Sequence, residues 1–240
     1  HRDLHSFPTR RSSDLAQIYK YWLNGALYWL DKYAELGQMN INGRDYLNYL
    51  ENMANHFLLD RITEMPGEQL YDFDEMENAP VCFPTNFDET PLHNGTGVQN
   101  YIFNRLDYLL WLNLKNKRKF AGVDMQYIEK RLDNFTFTFR TSVEHYSPQH
   151  PMNNELPLER SQGLEKGVDN FGNLCLISHS NNSKLSNYSP VAKKEHYEKS
   201  THAESLKQVF MMSYDSWGHA AVENILHHKN MMVNVLLYRH

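Results

Sequence analysis

Apolar residues recur at helical spacing over most of this 240-residue chain, and a single region switches to the two-residue alternation of a β-strand. The helical spacing is present on both sides of that region. Helices are predicted over about 16–36, 44–61, 99–116, 124–132, 206–212 and 217–238. Because helices dominate and the strand signal is local, the chain is predicted to be α+β, mostly helical with a small embedded sheet.

The strand signal comes from three aromatic residues. Phe135, Phe137 and Phe139 alternate with polar residues, which predicts a half-buried strand with its aromatic side chains facing inward. The strand is expected to continue to residue 145. Successive side chains of a strand point to opposite faces, so the three rings would share the buried face.

A second strand and a helix are predicted to follow. A loop containing Pro, Asn and Gly occupies about 146–172, and the short apolar run over 173–178 is typical of a buried strand. A helix is predicted to begin near Asn182. The order strand, loop, strand, helix therefore interrupts an otherwise helical chain.

Composition excludes several classes of protein. Cys82 and Cys175 cannot build a disulfide framework, and the sequence has no Cys-x-x-Cys pair to hold structural zinc. No apolar run approaches the roughly 18–20 residues that a membrane-spanning helix requires. The net charge of −5 excludes a protein that coats nucleic acid by bulk charge, but not one that binds it through a local patch. These features predict a cytoplasmic protein without a membrane segment.

The chain is predicted to divide into three parts. Residues 1–15 read like the translation of a sequencing adapter joined to a gene fragment, and we set them aside in preference to a natural basic tail. Residues 16–132 form a helical region, in which an irregular stretch over about 62–97 carries acidic but no basic side chains. Residues 133–240 hold the strand–loop–strand–helix unit and C-terminal packing helices.

Glu144, His145 and Asn182 carry side chains that suit phosphodiester hydrolysis. An imidazole can deprotonate water near neutral pH, and carboxylate and amide oxygens suit Mg²⁺ or Mn²⁺. Glu144 and His145 would face apart within a regular strand, but the turn that Pro148 indicates allows both to approach one phosphate. From these residues alone, a surface Glu-His pair that forms no site stays an open alternative.

Three motifs carry a resemblance to a known family. They read Ser142-Val-Glu-His-Tyr-Ser-Pro-Gln149, Gly172-Asn-Leu-Cys-Leu-Ile-Ser178 and Asn182-Ser-Lys-Leu-Ser-Asn187. The series resembles the C-terminal HNH nuclease domain of GmrSD-type restriction endonucleases, whose pattern is IEH-x-x-PQ, then GNL-x-L, then N-x-x-L-S-N with a following Lys. The acid-His pair followed by two asparagines nine positions apart is also similar to the HNH domain of RNA-guided nucleases. The resemblance covers about residues 135–194.

The resemblance implies a ββα-metal (HNH) core and a role for each motif residue. His145 would be the general base that activates water. Asn173 would bond to the backbone of the His-bearing loop and hold the imidazole in place. The implied metal ligands, for Mg²⁺ or Mn²⁺, are Glu144 and Asn182. Phosphate contacts are implied for Lys184 and Lys194, with solvated surface lysines as the alternative.

The implied function is metal-dependent DNA endonuclease activity in a modification-dependent (type IV) restriction system that acts against phage. The implied partners are DNA, including DNA with modified cytosine, and a nucleotide-binding N-terminal domain or subunit that these residues do not contain in recognisable form. Tyr146 and Ser147 stand where the family more often has aliphatic residues. Two alternatives stay open: a catalytically inactive nucleic-acid- or protein-binding module on the same fold, and a helical scaffold in which the motifs are coincidental.

Overall fold

A computed structural model describes residues 10–35, 41–62, 71–79, 81–84, 87–152, 155–185, 187–200 and 202–238. Its helices are α1 (Arg10–Glu35), α2 (Gly43–Ile62), α3 (Phe73–Asn78), α4 (Asn100–Lys115), α5 (Met125–Leu132), α6 (His179–Leu185), α7 (Pro190–Lys199), α8 (Leu206–Met212) and α9 (Val222–Leu236). Its strands are β1 (Ser142–His145) and β2 (Leu174–Ile177). Short 3₁₀ turns occupy Thr90–Leu92, Gly95–Gly97, Arg160–Gln162, Gly167–Asp169, Phe171–Asn173 and His219–Ala221. The chain forms two compact units, His1–Phe87 and Asp88–His240.

The first unit packs α1, α2 and α3 against one another. Trp29 of α1 and Met53 and Phe57 of α2 are buried in its core. Lys32 of α1 forms ion pairs with two acidic side chains of α3, and these pairs fix α3 against α1. Part of the predicted segment 1–15 lies outside the described residues, and α1 begins at Arg10, before the predicted start at residue 16.

Helix α3 lies inside the stretch over 62–97 that was predicted to be irregular. Its N-cap is Asp72, whose carboxylate accepts hydrogen bonds from the backbone N–H groups of Asp74 and Glu75. An aspartate at this position stabilises a helix start, and so a short helix forms without a long apolar period. Residues 63–70 of the same stretch lie outside the described residues.

The second unit is built around α4, which packs against α5, α8, α9 and β2. Most of its side chains are buried; the fully enclosed apolar ones include Ile102, Phe103, Leu106, Leu109 and Leu110. Since α4 and α5 pack on elements that follow residue 133, the division between the units lies at Phe87, and not near residue 132 as predicted.

The sheet of the second unit consists of β1 and β2 paired antiparallel, with Ser142 opposite Ile177 and His145 opposite Leu174. All four residues of β2 are buried. Helix α6 follows β2 directly and contacts β1. The described chain is therefore mostly helical with a small two-stranded sheet, consistent with the α+β prediction. None of its described helices is long and apolar enough to cross a bilayer.

The prediction that a strand begins at Phe135 with inward aromatic rings is wrong. Phe135 is buried, but Phe137 is 51% exposed and Phe139 is 83% exposed. Residues 136–141 pair with no strand among the described residues, and β1 starts only at Ser142. The buried side chain of this segment is Arg140, which forms an enclosed ion pair with Asp107 of α4.

Candidate active site

Glu144 and His145 are the last two residues of β1, and both are buried. Their side chains leave the strand on opposite faces, as alternation requires. Beyond His145 the pairing with β2 continues for one more bond, in which the Tyr146 N–H donates to the Asn173 carbonyl at 2.8 Å. The end of β1 is therefore fixed to the start of β2.

The imidazole of His145, 10% exposed, has a hydrogen-bond partner at one nitrogen and none among the described residues at the other. Its Nε2 lies 2.8 Å from Oδ1 of Asp169, the last residue of the 3₁₀ turn Gly167–Asp169. Nδ1 has no hydrogen-bond partner in the described part of the chain, and the surrounding atoms do not enclose it completely. The imidazole thus keeps one nitrogen available to a water or a substrate. Sequence reasoning did not assign Asp169.

Glu144 forms an ion pair with Lys193 of α7, whose Nζ lies 2.5 Å from Oε1 of the carboxylate. The side chain of Lys193 is 1% exposed, and its Nζ also donates to the His145 carbonyl at 2.6 Å. Burial raises the pKa of the Glu144 carboxyl above its usual value, while the charge and the hydrogen bond of Lys193 act in the opposite direction. One lysine therefore anchors both residues of the Glu-His pair.

Sequence reasoning missed Lys193 and singled out its neighbour Lys194. A signal for Lys193 exists in the helical spacing of α7, because it shares the buried face of that helix with Pro190 and Tyr197. Lys194 points elsewhere, and its ammonium lies 5.0 Å from the centre of the Tyr127 ring. Lys184 is exposed on α6.

Asn173 is fully buried, and both the oxygen and the nitrogen of its side-chain amide form hydrogen bonds to neighbouring loops. Its Oδ1 accepts a hydrogen bond from the Ser147 N–H at 2.8 Å, and its Nδ2 donates to the Ser147 carbonyl at 2.9 Å. The same Nδ2 donates to the Val168 carbonyl at 3.0 Å. Asn173 therefore ties the loop after His145 to the turn that carries Asp169.

Asn182 lies in α6, which begins at His179, slightly before the predicted start. Its Nδ2 donates to Oγ of Ser142 at 2.5 Å. Ser142 and Glu144 are two residues apart in β1 and so share a face of the strand. The structure thus brings Asn182 to the face of β1 from which Glu144 projects, whereas His145 leaves the opposite face.

An aromatic cluster contacts Asn173 through the indole of Trp217. Trp217 donates its Nε1–H to Oδ1 of Asn173 at 3.1 Å and makes edge contacts with the rings of Tyr146, Tyr214 and His228. His228 is fully buried, neither of its ring nitrogens has a hydrogen-bond partner among the described residues, and burial lowers its pKa well below the usual value. The cluster supports the amide that orders both loops.

Lys207 of α8 reinforces the backbone around Asn173. Its buried Nζ donates to the carbonyl groups of Phe171 at 2.7 Å and Leu174 at 2.6 Å, one on each side of the 3₁₀ turn–β2 junction. Burial lowers the pKa of this lysine to about 7. The junction therefore depends on a buried amine that the sequence pattern did not reveal.

Comparison with known proteins gives one family match. Residues 90–234 match the family described as GmrSD restriction endonucleases, C-terminal domain. No curated protein and no solved structure matches significantly. The matched range contains β1, β2, α6 and the whole candidate site. Since it spans more than half of the chain, the chain belongs to the family of GmrSD restriction endonuclease C-terminal domains, a nuclease domain of the restriction-endonuclease type.

Proposed function

We propose that this domain is a metal-dependent HNH endonuclease that hydrolyses DNA phosphodiesters. The observation that carries the proposal is that Asn182 is bonded to the first residue of the strand that carries Glu144 and His145, and Asn173 to the loop that follows this strand, within a domain of a restriction-nuclease family. His145 ends β1, Asn173 immediately precedes β2, and Asn182 is bonded back to β1 from α6. In the proposal His145 is the general base, and Glu144 and Asn182, which lie on the other face of β1, are the metal ligands.

His145 acts as the general base in the proposed reaction. Its Nδ1 is the ring nitrogen without a protein partner in the described chain, so it can accept a proton from a water molecule. Asn173 keeps the loop after His145 in place through both of its hydrogen bonds to Ser147. A fixed loop holds the imidazole at a constant position relative to the substrate, which is the geometric condition for proton transfer.

Glu144 and Asn182 would hold Mg²⁺ or Mn²⁺. The donor set fits, because both side chains offer oxygen atoms and lie toward the same face of β1. Asn182 donates to Ser142 through Nδ2, so its Oδ1 is left free of hydrogen bonds within the described residues. The ion would supply positive charge to the scissile phosphate and the departing oxygen. Lys193 shares the Glu144 carboxylate and keeps it in position.

The biological setting is proposed from the family. We place the domain in a type IV, modification-dependent restriction system that acts against phage in the cytoplasm. Its DNA substrate would include modified cytosine, and a nucleotide-binding N-terminal domain or subunit would work with it. Lys184, exposed on α6, and the Lys194 ammonium on α7 would contact phosphate groups near the site.

A plasmid-nicking assay tests the proposal. Cleavage is expected with Mg²⁺ or Mn²⁺, is expected to stop with EDTA, and is expected to fall at least about 100-fold in His145→Ala, because a general base contributes about 10²–10⁴-fold. His196→Ala is the matched control, since His196 is exposed on α7. Cleavage that survives in His145→Ala would remove His145 from its role. DNA binding without cleavage under any condition would favour the catalytically inactive binding module.

A further inference from the structure

We propose that Asp169 is a positioning residue that orients His145 and determines which of its nitrogens acts as the base. The inference rests on the proposed nuclease function and extends it to a residue outside the three sequence motifs. Asp169 accepts the hydrogen bond of His145 Nε2, and Nδ1 is then the nitrogen that receives the proton of the attacking water.

The hydrogen bond between Asp169 and His145 fixes the tautomer of the imidazole. An ionised carboxylate can only accept hydrogen bonds, and a neutral imidazole carries one donor and one acceptor nitrogen. With Oδ1 of Asp169 at 2.8 Å from Nε2, the proton of the neutral ring lies on Nε2. Nδ1 is left as the acceptor, and within the described residues it has no protein partner and is not fully enclosed.

The backbone holds Asp169 in this position from both sides. Asn173 donates to the carbonyl of Val168, the residue before Asp169, at 3.0 Å. Asn170, the residue after it, is buried and accepts the Gly172 N–H at 2.8 Å through its own side chain. Since Asn173 also binds Ser147, one amide sets the distance between the His-bearing loop and the Asp-bearing turn.

The Gly95 turn packs closely against the Asp169 side chain, which is 43% exposed elsewhere. Gly95 has φ +54°, in the left-handed region that glycine tolerates at little cost. A Cβ at this position would lie 2.9 Å from Cγ and 2.9 Å from Oδ1 of Asp169. Such a contact is shorter than real side chains show, so any larger residue would displace the carboxylate. The absence of a side chain at Gly95 therefore leaves the space that Asp169 occupies.

The proton step follows from this geometry. An O–H bond of water breaks, its proton goes to Nδ1 of His145, and the water oxygen bonds to phosphorus. The bond between phosphorus and the departing oxygen breaks, and that oxygen takes a proton from solvent. His145 is then an imidazolium whose Nε2–H still donates to Asp169, and it returns its extra proton to solvent. Asp169 orients the ring throughout without exchanging a proton.

The test uses the full chain with ¹⁵N-labelled histidine, at a pH of about 8.5, where an ordinary imidazole is neutral. A slowly exchanging, downfield Nε2–H correlation is expected in the unmodified protein and is assigned by its loss in His145→Ala. Asp169→Ala is expected to abolish it. Glu165→Ala is the matched control. It removes a carboxylate from the same loop as Asp169, but this carboxylate contacts His93 and not His145. Persistence of the correlation in Asp169→Ala would overturn the proposal.

Cleavage kinetics give the second readout. Asp169→Ala is expected to lower kcat about 10- to 100-fold with KM within twofold, whereas Glu165→Ala should change neither. Gly95→Ala provides an independent variant, expected to lower kcat and weaken the same Nε2–H correlation while the melting transition stays cooperative. An effect of Asp169→Ala on KM alone would contradict a positioning role. If the unmodified chain fails to cleave DNA, the nuclease proposal fails, yet the correlation still decides whether Asp169 orients His145.

Discussion

Lys193 and Glu144 form an ion pair that is almost completely removed from solvent, with 1% and 8% of their side chains exposed. Lys193 also donates to the carbonyl of His145. The ammonium group thus contacts the side chain of one residue of the Glu-His pair and the backbone of the other. The ion pair is therefore a structural connection between α7 and the end of β1.

Removing the ammonium group of Lys193 should destabilise the domain strongly. Lys193→Met leaves the Glu144 carboxylate buried without its cation, and breaking a buried pair in this way costs about 3–5 kcal/mol. Chemical denaturation measures the change in the free energy of unfolding. Lys194→Met is the control, because it removes the same group from the next residue and loses only a contact with Tyr127, worth less than about 1 kcal/mol. The double variant Lys193→Met/Glu144→Leu should recover most of the loss; a failure to recover would show that the charge pair is not its cause.

Asn173 and Trp217 should be energetically coupled. Asn173→Ala leaves the buried N–H of Ser147 without its acceptor, at about 1–3 kcal/mol, and the half-buried indole N–H of Trp217 without its acceptor at a smaller cost. Trp217→Phe removes one of these donors and should cost less. A double-mutant cycle on the free energy of unfolding is expected to give a coupling energy of at least about 0.5 kcal/mol. Strict additivity of the two changes would mean that the indole hydrogen bond adds no stability.

His228 should make the domain sensitive to acid. Burial lowers the pKa of the folded-state imidazole, so the unfolded chain, with an ordinary value of about 6.5, binds the proton first as the pH falls. The free energy of unfolding should then decrease by about 1.4 kcal/mol per pH unit below 6.5 relative to a variant without this group. His228→Phe, compared with the unmodified chain by denaturation at pH 8 and pH 5, measures the difference. An identical pH dependence in the two proteins would contradict the prediction.

Phe135 and Phe139 should respond very differently to truncation, although they share one alternation in the sequence. Phe135→Ala removes a buried ring and should cost about 3–5 kcal/mol of unfolding free energy. Phe139→Ala removes a ring that is 83% exposed and should change the stability by less than about 0.5 kcal/mol. Thermal and chemical denaturation of both variants checks the difference. Equal losses of unfolding free energy in the two variants would instead support a strand in which both rings face inward.

The helices, the second strand and the helix near Asn182 could be predicted because their signals are local. Helical period, apolar runs and capping residues act over a few neighbouring positions, and α4, β2 and α6 lie close to the predicted ranges. The error at Phe139 has a physical cause. The alternation of apolar and polar residues predicts which side chains share a face of a strand. It does not predict whether another element of the fold covers that face.

The contacts that complete the site could not be predicted, because they join distant parts of the chain. Lys193 reaches Glu144 across 49 positions, and Asp169 reaches His145 across 24. The residue type does not show whether a lysine is buried, and only the packing of α7 distinguishes the buried Lys193 from the half-buried Lys194. The resemblance identified Asn173 as the residue expected to bind the loop after His145, while its bond to Val168 and its contact with Trp217 required coordinates.

The dual use of Asn173 has a consequence for how domains of this kind can diversify. Because its amide clamps Ser147 and Val168 together, the chain between these two residues leaves and returns at a fixed gap. Lengthening such an excursion costs little chain entropy, about 0.6 kcal/mol per doubling. Insertions should therefore be tolerated at the exposed positions of this segment, whereas Leu158 and Leu164, which are buried with Val222 and Ile225, must keep their places.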